Sequence, residues 1–153
     1  MKNKIHNINV VAKEKLPSPK ALKETLPLTN KARKTVLSKR KELMNILDGK
    51  DSRLVVVVGP CSIHDTNLAK DYALRLKDLS KAVEDEFLVL MRVYFEKPRT
   101  TTGWKGLIND PNIDDTFQID KGIHIARSLL IDLNEMGLGV ATEALDPIMP
   151  QYL

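Results

Sequence analysis

Two hydrophobic patterns alternate along the last two thirds of the chain. Short, mainly apolar runs occupy residues 54–58, 87–93 and 139–142, of which the first is unbroken, and such runs are typical of strands buried on both faces of a parallel sheet. Between them, apolar residues recur at helical spacing over residues 67–83 and 119–136. In the first of these helices the expected apolar stripe is Leu68, Tyr72, Leu76 and Leu79. This order of strand, helix, strand, helix, strand predicts an α/β fold built from parallel βαβ units with right-handed crossovers.

The first fifty residues have a different pattern. Residues 7–11 alternate weakly between apolar and polar, which predicts a short strand. Ser18 followed by Pro19 is typical of a helix start, and we expect that helix to run to about Leu26. A longer amphipathic helix, capped by Thr29 or Asn30, follows and stops at Gly49. We interpret this part as an arm that packs on the rest of the protein.

The net charge of +4 is distributed unevenly, because residues 1–50 hold 13 Lys and Arg against 4 Asp and Glu, whereas residues 51–153 hold 11 against 16. A basic arm can contact nucleic acid or acidic lipid. Here the cations lie along amphipathic helices without interleaved aromatic residues, so we expect no nucleic-acid partner.

The composition also bears on the cellular compartment. No stretch approaches the roughly 20 apolar residues of a membrane span, so we expect no membrane partner. The amino terminus lacks the apolar core of a secretory signal. The single cysteine, Cys61, suits a reducing compartment. We therefore expect a cytoplasmic protein.

Polar and charged residues follow the end of each predicted strand. Residues 59–65 follow the first strand, residues 92–102 end the second, and Glu143 follows the third. Parallel strands end at the same edge of a sheet, which is where ligands bind in α/β barrels and doubly wound sheets. The sequence therefore predicts one shared site that contains a thiol, a group of cations and a carboxylate.

The cations of this site are concentrated in the segment after the second strand: Arg92, Lys97, Arg99 and Lys105. Such a cluster, with nearby threonines, is suited to phosphate and carboxylate oxygens. The alternative is a solvated surface loop, with Arg92 extending from the strand end to solvent. We favour an anion-binding loop, because long loops without secondary structure are often functional.

The remaining candidates allow two interpretations each. Cys61 is either a soft metal ligand or a small core residue. His64 and Asp65 have metal-ligand chemistry, but Asp65 is also suited to capping the following helix. Glu143 can act as a base, position a water or pair with Arg92.

Three strands do not close a barrel, and an eight-stranded barrel needs roughly 250 residues. We therefore expect these 153 residues to be part of a longer protein.

Four segments closely resemble the class I, microbial type of 3-deoxy-D-arabino-heptulosonate 7-phosphate (DAHP) synthase: residues 59–65, 91–101, 103–111 and 141–147. The resemblance implies a (β/α)8 TIM barrel with an N-terminal extension. This chain would hold the extension, residues 1–50, and roughly the first three β/α units of the catalytic domain, residues 51–153. The implied reaction is the condensation of phosphoenolpyruvate with erythrose 4-phosphate, with release of phosphate, which is the first step of the shikimate route.

The resemblance also implies roles for single residues. Cys61 matches a ligand of a divalent metal, typically manganese, iron or cobalt. Arg92 and Lys97 match residues that bind phosphoenolpyruvate, and Lys97 also lies where it can donate a proton. Glu143 matches an active-site carboxylate that positions the attacking water. The implied contacts of erythrose 4-phosphate are Pro98, Arg99 and Thr100.

Further implications concern regulation and completeness. The family's other metal ligands lie beyond residue 153, so we expect the isolated chain to be inactive. Feedback inhibition by an aromatic amino acid is implied at the arm and at Asp146, Pro147, Pro150 and Gln151. Ala144 with Pro147 favours tyrosine as the inhibitor. We expect assembly through the arm into homodimers or homotetramers, with residues 1–15 ordered by a neighbouring subunit.

Two other functions are compatible with parts of the sequence. One is a related enzyme that condenses phosphoenolpyruvate with a pentose phosphate, although Lys-Pro-Arg-Thr-Thr with Gly-Trp-Lys-Gly argues against it. The other is a non-catalytic binding module that uses the basic arm.

Overall fold

The structure is a computed structural model, and it describes residues 13–99 and 102–153. Its helices and strands follow the predicted order. They are α1 (Pro19–Thr25), α2 (Asn30–Leu47), β1 (Leu54–Val58), α3 (Thr66–Ala82), β2 (Phe87–Arg92), α4 (Ile119–Glu135), β3 (Val140–Ala141) and a short 3₁₀ helix (Met149–Gln151). The strand expected at residues 7–11 lies outside the described residues.

The three strands form one parallel sheet in the order β1-β2-β3. Val58 at the end of β1 pairs with Met91, and Arg92 at the end of β2 pairs with Ala141. The α/β class and the parallel arrangement predicted from the sequence are thus confirmed. This register aligns the carboxyl ends of all three strands at one edge.

Within the described residues, β2 has the predicted burial and β1 does not. Leu88 to Met91 of β2 are all buried, because β2 has a strand on each side and helix α3 packed against it. In β1, Leu54 is 65% exposed and Val57 is 48% exposed. An apolar run indicates a strand with two covered faces, whereas β1 lies at an edge of the sheet and its faces are only partly covered.

Helix α3 begins as the sequence predicts, because the Asp65 carboxylate accepts hydrogen bonds from the first amides of the helix. Its buried face differs from the expected stripe of Leu68, Tyr72, Leu76 and Leu79. Leu68 and Leu79 are exposed, and the buried residues are Ala69, Ala73 and Leu76. Alanines let a helix approach a sheet closely, so the small residues take the inner face.

Helix α4 lies against the segment that follows β2. A Cβ atom on Gly122 would lie 2.1 Å from the carbonyl oxygen of Ile108, so only glycine permits this approach. Ile123, Ala126 and Leu133 of the same helix are completely buried. The helix therefore positions the base of the long loop that carries the cations.

The arm contributes to the core and is bonded to the rest of the chain. Leu22 and Ala32 are buried, and Ser18 and Thr29 cap α1 and α2 as predicted. Arg127 of α4, itself buried, joins two distant segments. Its Nε donates to the Leu26 carbonyl over 2.8 Å, and its Nη1 donates to the Tyr152 carbonyl over 3.3 Å. The burial lowers the pKa of this guanidinium.

Among the residues that the structure describes, no helix combines the length and apolar character needed to cross a bilayer.

Candidate active site

The three strand ends deliver their polar residues to one place, as predicted. Lys97, after β2, donates from Nζ to the Cys61 Sγ over 3.2 Å. Arg92 at the end of β2 donates from Nη2 to the Cys61 carbonyl over 3.4 Å. Glu143, after β3, accepts from the backbone of the segment after β2. The thiol, the cations and the carboxylate thus occupy the same edge of the sheet.

Cys61 is exposed and is not the small core residue of the alternative interpretation. The Lys97 ammonium, by its hydrogen bond and its charge, lowers the pKa of the Cys61 thiol, and the charges of Arg92 and Arg99 act in the same direction. A thiolate is both the nucleophilic and the metal-binding form of cysteine. His64 is exposed nearby, whereas the Asp65 carboxylate caps α3.

The lowered pKa predicts a pH dependence for the alkylation of Cys61. In metal-free buffer, the rate of reaction with iodoacetamide should rise at a lower pH than for an ordinary cysteine, because the thiolate forms earlier. Lys97→Met removes the principal cause and should move this rise to higher pH. The profile is measured by mass spectrometry across pH. Lys20→Met, on an exposed side chain of α1, should leave it unchanged; equal profiles for Lys97→Met and wild type would contradict the assignment.

Arg92 is only partly engaged by the protein. Its guanidinium carbon lies 4.0 Å from the centroid of the Tyr94 ring, which is a cation–π contact. Its Nε is buried and has no hydrogen-bond partner among the described residues. A buried donor without a partner costs free energy, so such a group is suited to an anionic ligand.

Glu143 does not pair with Arg92 in the described part of the chain. Its Oε1 accepts hydrogen bonds from the amides of Phe95 and Glu96, each over 2.7 Å. Its Oε2 accepts from the Thr142 hydroxyl over 3.0 Å. Of the three alternatives for Glu143, pairing with Arg92 is therefore wrong, because backbone amides bind the carboxylate.

The segment after β2 folds back on itself. The Lys97 amide donates to the Lys105 carbonyl over 3.0 Å, and Glu96 forms an antiparallel bridge with Gly106. The Lys105 ammonium donates to the Arg99 carbonyl and so joins two points of this loop. The charges of Lys97, Arg92 and Arg99 act on the Cys61 thiol.

Gly106 has φ +100°, and a Cβ there would lie 2.2 Å from the carbonyl oxygen of Phe95. This turn therefore requires glycine. Trp104 anchors the loop, as its indole N–H donates to the Asp110 carbonyl over 2.8 Å. At the exposed tip lie Pro98 and Arg99, whereas Thr100 lies outside the described residues.

Comparison with known proteins assigns the chain to a family. Residues 25–153 match the model of the DAHP synthetase I family. The chain belongs to this family. The fold predicted from the sequence is thereby confirmed as the N-terminal extension and the first three β/α units of a (β/α)8 barrel.

Individual relatives of the DAHP synthetase I family agree with this assignment. The chain is 58% identical, over 141 residues, to the Phe-sensitive phospho-2-dehydro-3-deoxyheptonate aldolase of Escherichia coli (strain K12). The aligned region covers 92% of this chain and 40% of that protein. It is 49% identical, over 152 residues, to the Tyr-sensitive aldolase of the same organism, covering 99% of this chain and 43% of that protein.

A solved structure is also similar. The phospho-2-dehydro-3-deoxyheptonate aldolase from Francisella tularensis SCHU S4 matches with a TM-score of 0.90 and 50% identity, over 95% of this chain and 42% of that chain. The chain thus spans about two fifths of the length of these DAHP synthetase I relatives.

Three residues near the site were not recognised from the sequence. Glu96 is half-buried, and desolvation, with the charges of Asp146 and Glu143 adding to it, raises the pKa of its carboxyl. Asn109 donates to the Glu96 carboxylate over 3.2 Å. Asp110 is buried and accepts hydrogen bonds from two amides of the following turn. The turn-forming segment Asn-Asp-Pro at 109–111 was the one available signal.

The residues expected to bind an inhibitor lie together after β3. The Asp146 carboxylate accepts from the amides of Ile148 and Met149, and the Gln151 side chain donates to the Pro147 carbonyl. Pro147, Gln151 and the fourth member, Pro150, are exposed. The next residue, Tyr152, connects this segment to the arm, because its hydroxyl donates to the Pro17 carbonyl over 2.8 Å.

Proposed function

We propose that this chain supplies the substrate-binding edge of an enzyme that condenses phosphoenolpyruvate with D-erythrose 4-phosphate. The products are DAHP and phosphate, and the reaction is the first step of the shikimate pathway to chorismate and the aromatic amino acids. The observation that carries the proposal is the convergence of Arg92, Lys97 and Cys61 at one sheet edge, in a chain of the DAHP synthetase I family.

Arg92 and Lys97 would bind phosphoenolpyruvate. The Arg92 Nε, which has no hydrogen-bond partner in the part of the chain that the structure describes, supports this role, since an anionic oxygen would accept from it. Lys97 is held at the strand end with its ammonium beside Cys61, where it can contact the same anion and donate a proton during condensation. Fixed cations at this edge would stabilise the charge that develops between two phosphorylated substrates.

Erythrose 4-phosphate would bind at the loop tip, through Pro98, Arg99 and Thr100. The exposure of Pro98 and Arg99 supports this placement. A guanidinium is also the side chain best suited to bidentate contact with a phosphate.

Cys61 would be one ligand of a divalent manganese, iron or cobalt ion. An exposed thiol whose pKa is lowered by Lys97 fits a soft metal ligand. The described residues contain no group of three or more His, Cys, Asp or Glu side chains that would complete such a site. A bound metal would supply Lewis-acid activation of the sugar aldehyde.

Glu143 would position the water that attacks phosphoenolpyruvate. Its Oε1 is occupied by two amides, so this role falls to Oε2, whose one partner among the described residues is the Thr142 hydroxyl.

The proposal also includes inhibition by an aromatic amino acid and assembly into oligomers. An aromatic amino acid would bind near Asp146, Pro147, Pro150 and Gln151, and the link from Tyr152 to Pro17 supports a contribution from the arm. Residues 1–50 would serve these contacts and the assembly into homodimers or homotetramers, and residues 51–153 would begin the catalytic domain. The enzyme would act in the cytoplasm.

Substrate binding by the purified chain tests the proposal. We expect phosphoenolpyruvate to bind in the millimolar range, as measured by amide chemical-shift titration. Lys97→Met should weaken binding about tenfold to a hundredfold, because one charge-assisted contact is lost. Erythrose 4-phosphate should shift the amide resonances of the loop after β2, and a pentose phosphate should not.

The matched control is Lys20→Met, which changes the net charge equally on a side chain far along the sequence from the loop. Equal affinity in wild type and Lys97→Met, or no phosphoenolpyruvate binding at all, would contradict the proposal. With Mn²⁺ and both substrates we expect no condensation by this chain alone, since Cys61 is one donor and a metal site needs several. Measurable product would overturn that expectation.

A further inference from the structure

The Glu143 carboxylate is bound by backbone amides of a distant loop. One oxygen, Oε1, accepts from two successive amides, those of Phe95 and Glu96, over 2.7 Å each. These donors lie 48 and 47 residues away along the chain, on a different loop. Hydrogen bonds from amides to a charged oxygen are roughly twice as strong as neutral ones. The carboxylate therefore joins the loop after β3 to the loop after β2.

The segment that Glu143 binds, Phe95 and Glu96, comes directly before Lys97. Backbone groups on both sides also hold it: the Tyr94 carbonyl accepts from the Ile63 amide over 2.7 Å, the Phe95 carbonyl accepts from the Ile108 amide, and the Lys97 amide donates to the Lys105 carbonyl. The Lys97 ammonium at the end of this segment donates to Cys61. The three backbone contacts join neutral groups, whereas Glu143 brings a carboxylate to the two amides between them.

We propose that Glu143 is a positioning residue, whose carboxylate fixes the backbone at Phe95 and Glu96 and thereby sets Lys97 against Cys61. The residue would act on the substrate through Lys97, in addition to any water held by Oε2. The consequence for phosphoenolpyruvate rests on the proposed function; the consequence for the loop does not.

The first experiment measures hydrogen exchange of single backbone amides by NMR. Glu143→Ala should accelerate exchange at Phe95 and Glu96 about tenfold to a hundredfold, because two charge-assisted bonds are lost. Exchange in the β2 strand should stay unchanged. The matched control is Glu84→Ala, which removes an exposed carboxylate. Unchanged exchange at both amides in Glu143→Ala would overturn the proposal.

The second experiment is a double-mutant cycle with Lys97→Met, read by the alkylation rate of Cys61 and by phosphoenolpyruvate affinity. If Glu143 acts through Lys97, Glu143→Ala should slow alkylation and weaken binding, and adding it to Lys97→Met should change neither further. Additive effects would instead indicate an independent structural contribution and overturn the proposal. Glu143→Gln retains an oxygen acceptor and should restore part of the wild-type rate.

The outcomes separate the two proposals. If wild type fails to bind phosphoenolpyruvate, the proposed function fails, while amide exchange and alkylation still decide the role of Glu143. If Glu143→Ala loses the native Trp104 fluorescence, the exchange comparison is made with Glu143→Gln, whose neutral oxygen accepts more weakly than a carboxylate, so exchange at Phe95 and Glu96 should still be faster than in wild type. Unchanged exchange at both amides in Glu143→Gln would also overturn the proposal.

Discussion

Gly122→Ala is expected to lower the free energy of unfolding by about 3 kcal/mol, at the upper end of the usual range for overpacking. The new Cβ would lie 2.1 Å from the Ile108 carbonyl oxygen and 2.7 Å from its carbonyl carbon, and a backbone cannot rotate away as a side chain can. Helix propensity alone predicts the opposite sign, a gain of about 1 kcal/mol. Urea unfolding followed by circular dichroism measures the difference.

Gly49→Ala is the matched control. Gly49 has φ +70°, but nothing lies within 4 Å of an added Cβ. The substitution should therefore destabilise by only the conformational cost, about 1 kcal/mol. Equal losses at the two positions would show that the contact between α4 and Ile108 is looser than the structure indicates.

Phe95→Ala is expected to destabilise the protein by about 3–5 kcal/mol, the usual cost of removing a buried aromatic side chain. Phe95 is completely buried, and its backbone is bonded to Glu143 and Ile108. The substitution should also release the loop, so Trp104 fluorescence should change at lower urea than the circular dichroism signal.

Phe117→Ala serves as the comparison, because Phe117 is 48% exposed. It should cost less than about 1 kcal/mol, as is usual for surface substitutions. A loss at Phe95 no larger than that at Phe117 would contradict the buried position of the loop.

Helix starts and strands whose position depends on nearby residues were predictable from the sequence. The helix starts at Ser18, Thr29 and Asp65 depend on a side chain and amides two or three residues away, so the segment itself contains the information. The mainly apolar run of β2 and the strand-helix alternation likewise indicated the parallel sheet.

Burial depended on what surrounds an element, and here the predictions from the pattern were less accurate. Four consecutive valines suggested that β1 is covered on both faces, yet it lies at the sheet edge with Val57 and Val58 exposed. In α3 the larger leucines suggested the inner face, yet the alanines occupy it. Periodicity defines which residues share a face, but the neighbouring element selects the face that is buried.

The sequence by itself determined the parallel fold, the family and the types of residue that meet at the strand ends. Only the tertiary structure decided how they pair. Lys97 contacts a thiol 36 residues away, and Glu143 contacts amides, which no side-chain motif records. The physical reason is that strand and helix signals arise within a few residues, whereas these contacts depend on the relative placement of three loops, which the register of the sheet and the packing of α4 establish.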